Sequence, residues 1–311
     1  MNLELLDELD NMNNNNSESN DDDNIEPLNF DRTTNTLLKQ AFAKRNLEII
    51  NLKDLMNKDK KYYYKNKQVK LKYFTNKYPK DNRDEFEEYY NNELKEYFQT
   101  MDYIDHICYY KIKIINICKD SDQYSFMIDN TNNLFCLQKI YKNLTYNQKL
   151  EYLIQIAELI EIFEKDNFVY RNLYINDIYI SNKHNQIMLF PHPFEYYPSK
   201  WCRSLKPRFK YLAPEFFDYN SDDDSQNITP KVCIWQFGWI LYELFSGDSN
   251  PIKVKNEIMF QRMILLKKKI EISSLIPSKL AEILEECIDY EASKRISATL
   301  LLEKLNSLKL K

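Results

Sequence analysis

Glycine is nearly missing from this chain: Gly238 and Gly247 are the only two among 311 residues. Glycine lets backbone N–H groups come close to a ligand and enter left-handed turns, so a glycine-rich loop cradling phosphates is excluded anywhere in the chain. Also missing is an apolar run of the ~20 residues that a membrane-spanning helix requires. The acidic N-terminal stretch has none of the basic residues of a secretory leader, which predicts a protein kept inside the cell. Cys108, Cys118, Cys136, Cys202, Cys233 and Cys287 include no C-x-x-C pair, predicting reduced thiols in the cytoplasm or nucleus rather than disulfides or zinc ligands. No excess of positive charge exists either: the net charge is -4 and the pI about 5.6. Without a recognition motif, that balance argues against a nucleic-acid partner.

What is present suits a folded protein of two lobes. A hydrophobic content of 43% suffices to bury a core in each. Charge is unevenly distributed. Residues 1–26 hold nine of the 47 acids and no Lys or Arg, which leaves 38 acids against 43 bases beyond them. The run 13–24 is Asn/Ser/Asp-rich and too polar to fold alone. Ahead of it, Leu3, Leu5, Leu6, Leu9 and Met12 stand among acids, either as one apolar helix face for docking in a groove or as scattered leucines of a solvated tail.

Apolar periodicity predicts a helix over 34–45, strands over 47–55, 62–64 and 68–74, and a helix over 85–101. Strands over 109–118 and 124–129 complete a small antiparallel sheet. Past a hinge at Asp129-Asn130 the pattern turns helical, with Leu153, Ile156, Ala157, Ile160 and Phe163 sharing one face of a helix over 150–165. No internal repeat is evident.

Several separated motifs then line up. Tyr170-Arg171-Asn172-Leu173-Tyr174-Ile175-Asn176-Asp177 resembles the His-Arg-Asp-Leu-x-x-x-Asn catalytic loop of protein kinases. Ile187-Met188-Leu189-Phe190-Pro191 stands where a strand leads into Asp-Phe-Gly, and Ala213-Pro214-Glu215 matches Ala-Pro-Glu unchanged. The apolar stretch 234–247 is similar to the family's long buried helix, and 287–297 resembles the closing motif of the tyrosine-kinase-like group. The resemblance spans 45–310. It implies an α+β, bilobal protein-kinase-like fold: an acidic Asn-rich disordered tail over 1–31, an antiparallel-sheet N-lobe with one main helix over 32–129, and a mainly helical C-lobe over 130–311.

Residue by residue, the same resemblance implies a degenerate site. Residues 55–62, where the phosphate loop belongs, contain no glycine. Lys72 takes the place of the phosphate-pairing lysine, with Glu93 as its helix partner or, within a turn on the same helix, Glu87, Glu88 or Glu96. Lys70 replaces the alanine that packs over adenine, and a cation there carries a desolvation cost that a snorkelling stem relieves in part. Leu189 replaces the Mg²⁺-binding aspartate, and Pro191 fixes the backbone where glycine would be; Phe190 can still pack inward. Asn172 cannot act as the general base, a role worth typically ~10²–10⁴-fold. Tyr174 replaces the lysine that neutralises the transferring phosphoryl group. Cys233 replaces the aspartate that fastens the loop backbone, a task for which a thiol is a poor acceptor. Asp177 is a weak metal candidate, more readily understood as a capping or solvated carboxylate.

Structural positions are retained: Glu215 with Arg295 as a buried ion pair, and Phe190, Trp235 and Gly238 in the core. Lys200, Arg203, Lys206, Arg208 and Lys210 make the activation segment basic, and with Arg171 they form a candidate surface for an acidic or phosphorylated partner; a plain solvated loop is the alternative. The expectation is therefore a pseudokinase serving as a protein-binding scaffold or allosteric regulator in signalling. ATP and Mg²⁺ binding is expected to be weak or absent, the partner is expected to be a protein, and neither membrane nor nucleic acid is expected. The alternative is an atypical ATP-binding protein serine/threonine or tyrosine kinase with weak residual phosphotransfer.

Overall fold

A computed structural model describes residues 47–58, 61–73, 112, 114–120, 123–130, 133–171, 173–189, 211–217, 228–248 and 257–309. The helices expected over 34–45 and 85–101 lie outside these residues, as does the tail. The chain divides into two compact units: residues 1–135 with 180–194, and residues 136–179 with 195–311. The first is built on a sheet and the second on helices, which is the α+β architecture that the motifs imply.

The first unit carries a six-stranded sheet in the order β1-β5-β6-β4-β3-β2. Its strands are β1 (Ile49–Asn51), β2 (Met56–Lys58), β3 (Lys61–Tyr64), β4 (Lys67–Tyr73), β5 (Ile114–Asp120) and β6 (Gln123–Asp129). The single strand expected over 47–55 is broken, because a 3-10 turn at Leu52–Asp54 separates β1 from β2. β1 then joins the sheet edge in parallel, Ile50 lying opposite Cys118, whereas all other neighbours are antiparallel. Period-2 alternation gives the sheet two apolar faces. On one, Leu55, Val69, Cys118 and Met127 are buried under Tyr62, Tyr64 and Leu71; Ile117, Phe126 and Ile128, equally buried, alternate with these on β5 and β6. The β3–β4 hairpin turns through Lys65 and Asn66 at φ 47° and 62°, the double left-handed geometry that usually recruits Asn-Gly.

β7 (Leu134–Cys136), β8 (Ile178–Ser181) and β9 (Gln186–Leu189) form a three-stranded sheet in that order. The helices are α1 (Leu137–Ile140), α2 (Tyr146–Lys165), α3 (Lys231–Ser246), α4 (Glu257–Leu265), α5 (Ser278–Cys287) and α6 (Ala298–Lys309). α2 begins with a reciprocal capping box between Thr145 and Gln148, which satisfies two otherwise orphaned N–H groups. Its Glu164 carboxylate accepts from the Ala298 N–H at 2.7 Å and pairs with Lys231 at 2.7 Å, tying α2 to the starts of α6 and α3. Every residue of α3 from Val232 to Leu244 is buried, as expected of a helix apolar on all sides. Gly247 ends α3 at φ 72° with its N–H on the Glu243 carbonyl, a left-handed cap that glycine adopts without strain. Gly238 has the other reason to be glycine. A Cβ there would lie 2.6 Å from Ile288 Cγ2 and 3.1 Å from Cys287 Cβ, so the close approach of α3 to the end of α5 depends on a missing methyl group.

Candidate nucleotide site and catalytic loop

Lys70 decides the character of the sheet unit. β4 pairs it with Ile128 of β6 and the Lys72 backbone with Phe126. The Lys70 ammonium donates to the Leu134 carbonyl at 2.5 Å and stands 5.5 Å from the centroid of the Phe135 ring. A charge-assisted hydrogen bond and a cation–π contact therefore meet its polar end, while its half-buried stem crosses from β4 to the segment after β6. Local geometry holds the acceptor in place. Asn130 is buried, its side chain accepts from the Leu134 N–H at 2.9 Å, and its carbonyl accepts from the Asn133 N–H at 3.0 Å. Asn133 at φ 49° closes this tight turn, a conformation that asparagine tolerates better than most residues.

Leu189 ends β9 fully buried, and its carbonyl accepts from the Ile112 N–H at 3.1 Å. A hydrocarbon side chain has no lone pair to offer a cation. Within the expected phosphate loop, Lys58 pairs with Lys61, so only Asp59 and Lys60 separate β2 from β3 and neither is a glycine.

The helical unit presents a different picture. Tyr170 is buried with its ring 5.4 Å from Phe163. The Cys233 thiol donates to the Tyr170 carbonyl at 3.0 Å, and complete burial pushes its pKa up to about 12, so it remains a protonated donor. Inside the apolar stretch 234–247, three residues on from Cys233, Gln236 accepts from the Leu173 N–H at 3.2 Å and donates to the Arg171 carbonyl at 2.5 Å. These contacts correct the expectation that the loop backbone loses its fastening along with the aspartate. Cys233 serves as a donor rather than an acceptor, and Gln236 satisfies one donor and one acceptor on either side of position 172. Tyr174 is buried edge-on against Tyr211, with ring centroids 5.2 Å apart.

Arg295 closes the far side. Its guanidinium donates to both carboxylate oxygens of Glu215 at 2.8 and 2.6 Å, to the Lys231 carbonyl at 3.0 Å and to the Asp289 carbonyl at 2.8 Å. It also lies 5.3 Å from the Trp235 ring. Bidentate geometry with four of the five guanidinium N–H donors engaged is the condition under which a buried ion pair holds.

A family model described as Protein tyrosine and serine/threonine kinase matches residues 54–305. The chain belongs to the protein kinase family. No curated protein matches it. Within this kinase-family domain, β1 precedes the matched region and adds a strand in parallel to the sheet edge.

Of the site residues expected in this kinase domain, Lys70, Tyr174, Asp177, Leu189, Glu215, Arg295, Trp235, Gly238 and Arg171 fall among the described side chains. Lys72 is described in backbone only. Glu93, Asn172, Phe190, Lys200, Arg203, Lys206, Arg208 and Lys210 lie outside the described residues, as does Pro191. Asp177 is completely buried in the 3-10 turn Ile175–Asp177, which removes the solvated alternative and leaves the capping one. Arg171 is half-buried. Among the described residues no group of three His, Cys, Asp or Glu side chains is arranged to hold a metal ion, and no helix is long and apolar enough to cross a membrane. Sequence reasoning missed Gln236, Tyr211 and the Leu134–Phe135 receptor for Lys70. Gln236 did leave a signal, as an amide buried inside the otherwise apolar run 234–241.

Proposed function

We propose that this kinase-family domain is a pseudokinase, catalytically silent and acting inside the cell as a protein-binding scaffold or allosteric regulator in signalling. The single observation that carries the reading is the Lys70 ammonium bound to the Leu134 carbonyl over Phe135. In the family this position is an alanine above adenine, so a lysine stem takes the place of the purine. The residues present do not fit a magnesium–nucleotide complex: Leu189 offers no ligand, Tyr174 is packed on Tyr211 instead of presenting a cation, and no glycine is available to bring backbone N–H groups to phosphate. Asn172 supplies no base. Retention of the Glu215–Arg295 joint and the Gln236 fastening supports selection for shape, which suits a surface that binds partners.

Thermal unfolding with millimolar ATP, with and without Mg²⁺, tests this. Ligand binding to the folded state raises the midpoint in proportion to RT ln(1 + [L]/Kd). The wild-type chain is expected to show no shift, and Lys70→Ala to gain one. Asp177, a buried carboxylate at the second metal position, favours the other reading, an ATP-binding kinase of weak activity. A wild-type shift that requires Mg²⁺ and disappears in Asp177→Asn would establish that reading instead.

A further inference from the structure

We propose that residues 48–55 form a releasable strap over one face of the six-stranded sheet, and that its docking holds the Lys70 ammonium on the Leu134 carbonyl across the other. β1 and β2 occupy opposite edges of that sheet, yet only residues 52–55 separate them. Five strand spacings amount to about 24 Å in a flat sheet, whereas the five steps from Asn51 to Met56 reach about 18 Å at most. The connection therefore draws the two edges together and crosses one face, where Leu55 is buried with Val69, Cys118 and Met127, and Ile50 and Leu52 pack against them. A latch holds the first residue of the strap. The Glu48 N–H donates to the Asn116 side chain at 2.9 Å, and the Glu48 carbonyl accepts from the Ile117 N–H at 3.0 Å. Asn116 is buried and follows a shift in the β5 register between Ile114 and Asn116, a bulge of the kind that re-aims a side chain.

The latch and the lysine share a row of the sheet. Asn116 lies opposite Met127, and Met127 opposite Leu71, the neighbour of Lys70. Val69 and Leu71 face the strap, so Lys70 between them leaves β4 on the far side. Lifting the strap opens Met127 and Val69, 0% and 3% exposed, to water and frees the sheet edges, and the strand that repacks is the one that aims Lys70. Little holds the strap down. β1 contributes only three residues in the less stable parallel pairing, and within 48–55 only Leu55 is buried, the rest being half-buried or exposed. So few buried contacts put an element at the low end of local stability, where a ligand that prefers the lifted state shifts the population. The coupling stands on sheet geometry, whereas the idea that Lys70 takes the place of a purine rests on the proposed function. The experiment reads Lys70 itself without nucleotide, so the two can fail separately.

Peptide-resolved mass spectrometry of the full chain tests this with two probes, N-ethylmaleimide for the Cys118 thiol under the strap and acetic anhydride for the Lys70 amine. Asn116→Ala removes the side-chain acceptor of the latch, an interaction whose usual net size corresponds to about fivefold in an opening equilibrium. Both labelling rates are expected to rise about fivefold, while Cys233 and Cys287, buried in the helical unit, keep their wild-type protection. Leu52→Ser, which weakens the strap at a half-buried position, is the second variant should the first misfold. Ile50 lies opposite Cys118, so in Ile50→Cys combined with Asn116→Ala an oxidised cross-link to Cys118 pins the strap. Lys70 labelling should then return to the wild-type rate until a reductant is added. Cys118 labelling that rises without that of Lys70 overturns the proposal, as does a rise at Lys70 that the cross-link leaves in place. So does Cys118 reactivity that is unchanged in both variants, or that rises only together with Cys233 and Cys287.

Discussion

The loop around Tyr170–Asp177 and the face of β4 around Lys70 have both lost family residues, yet they have lost them in opposite ways. In the helical unit the missing aspartate is replaced by a division of labour. Cys233 donates to the Tyr170 carbonyl, while Gln236 holds the Leu173 N–H and the Arg171 carbonyl. The backbone groups are satisfied, as buried amides must be. On the sheet the place of the family's alanine is taken by a lysine whose ammonium ends on the Leu134 carbonyl. One region has rebuilt its connections with different atoms; the other sends a charged side chain across to a carbonyl of the next segment. Shape and chemistry are thus separable in this domain, and substitutions sort by which of the two they attack.

The largest effect is expected at the joint that both units' chemistry leaves untouched. Glu215→Ala or Arg295→Ala strands one buried charge and should cost ~3–5 kcal/mol, measured by denaturant unfolding, whereas Arg295→Lys keeps the charge but loses the bidentate fork and should recover only part. Next comes Gly238→Ala. With Ile288 Cγ2 at 2.6 Å from the new methyl, overpacking should cost ~1–3 kcal/mol; an unchanged midpoint would mean that α5 yields freely.

Gln236→Leu sharpens the comparison most directly. It keeps the volume but leaves one N–H and one carbonyl without partners, each worth ~1–3 kcal/mol when buried. The loss should appear as faster hydrogen exchange at Leu173 as well as reduced stability. If exchange there is unaffected, the fastening is not what orders the loop.

Cys233 gives a pH-dependent counterpart. Its folded pKa, raised from an ordinary 9.0 to about 12 by burial, means that the unfolded chain releases this proton first as pH climbs. The thiol's contribution to stability is fully present below pH 9 and is lost as pH rises toward 12. Cys287, also buried and raised, acts in the same direction. Cys233→Ser, with a hydroxyl that does not ionise in this window, should flatten part of the alkaline decline in the unfolding midpoint. The smallest effect belongs to the β3–β4 turn, where Lys65→Asn supplies a residue that accepts φ 47° more readily and should raise the midpoint slightly.

Much of the fold was legible because the kinase motifs are local strings: Ala213-Pro214-Glu215 and the apolar run of α3 announce themselves without reference to the rest of the chain. β1 was not. Its apolar residues run on into those of the next strand, and neither periodicity nor composition shows that Leu52–Asp54 breaks the run or that the partner is 68 positions away in parallel. The site divides along the same line. That Lys70 is incompatible with an apolar roof follows from residue type; that its ammonium ends on the Leu134 carbonyl depends on a turn built by Asn130 and Asn133, which only the folded chain brings within reach. Asp177 looked solvated because carboxylates usually are, and the fold buries it all the same.

Under the proposed reading, in which the Lys70 stem stands in for the purine, the occupant is carried on β4 and is governed by tether length rather than by concentration in the surrounding medium. A short tether keeps its local concentration on the order of millimolar or above. On that reading no dilution, dialysis or fall in cellular energy charge would empty the space. A free molecule competing for the Leu134 carbonyl must outbid a neighbour that never diffuses away.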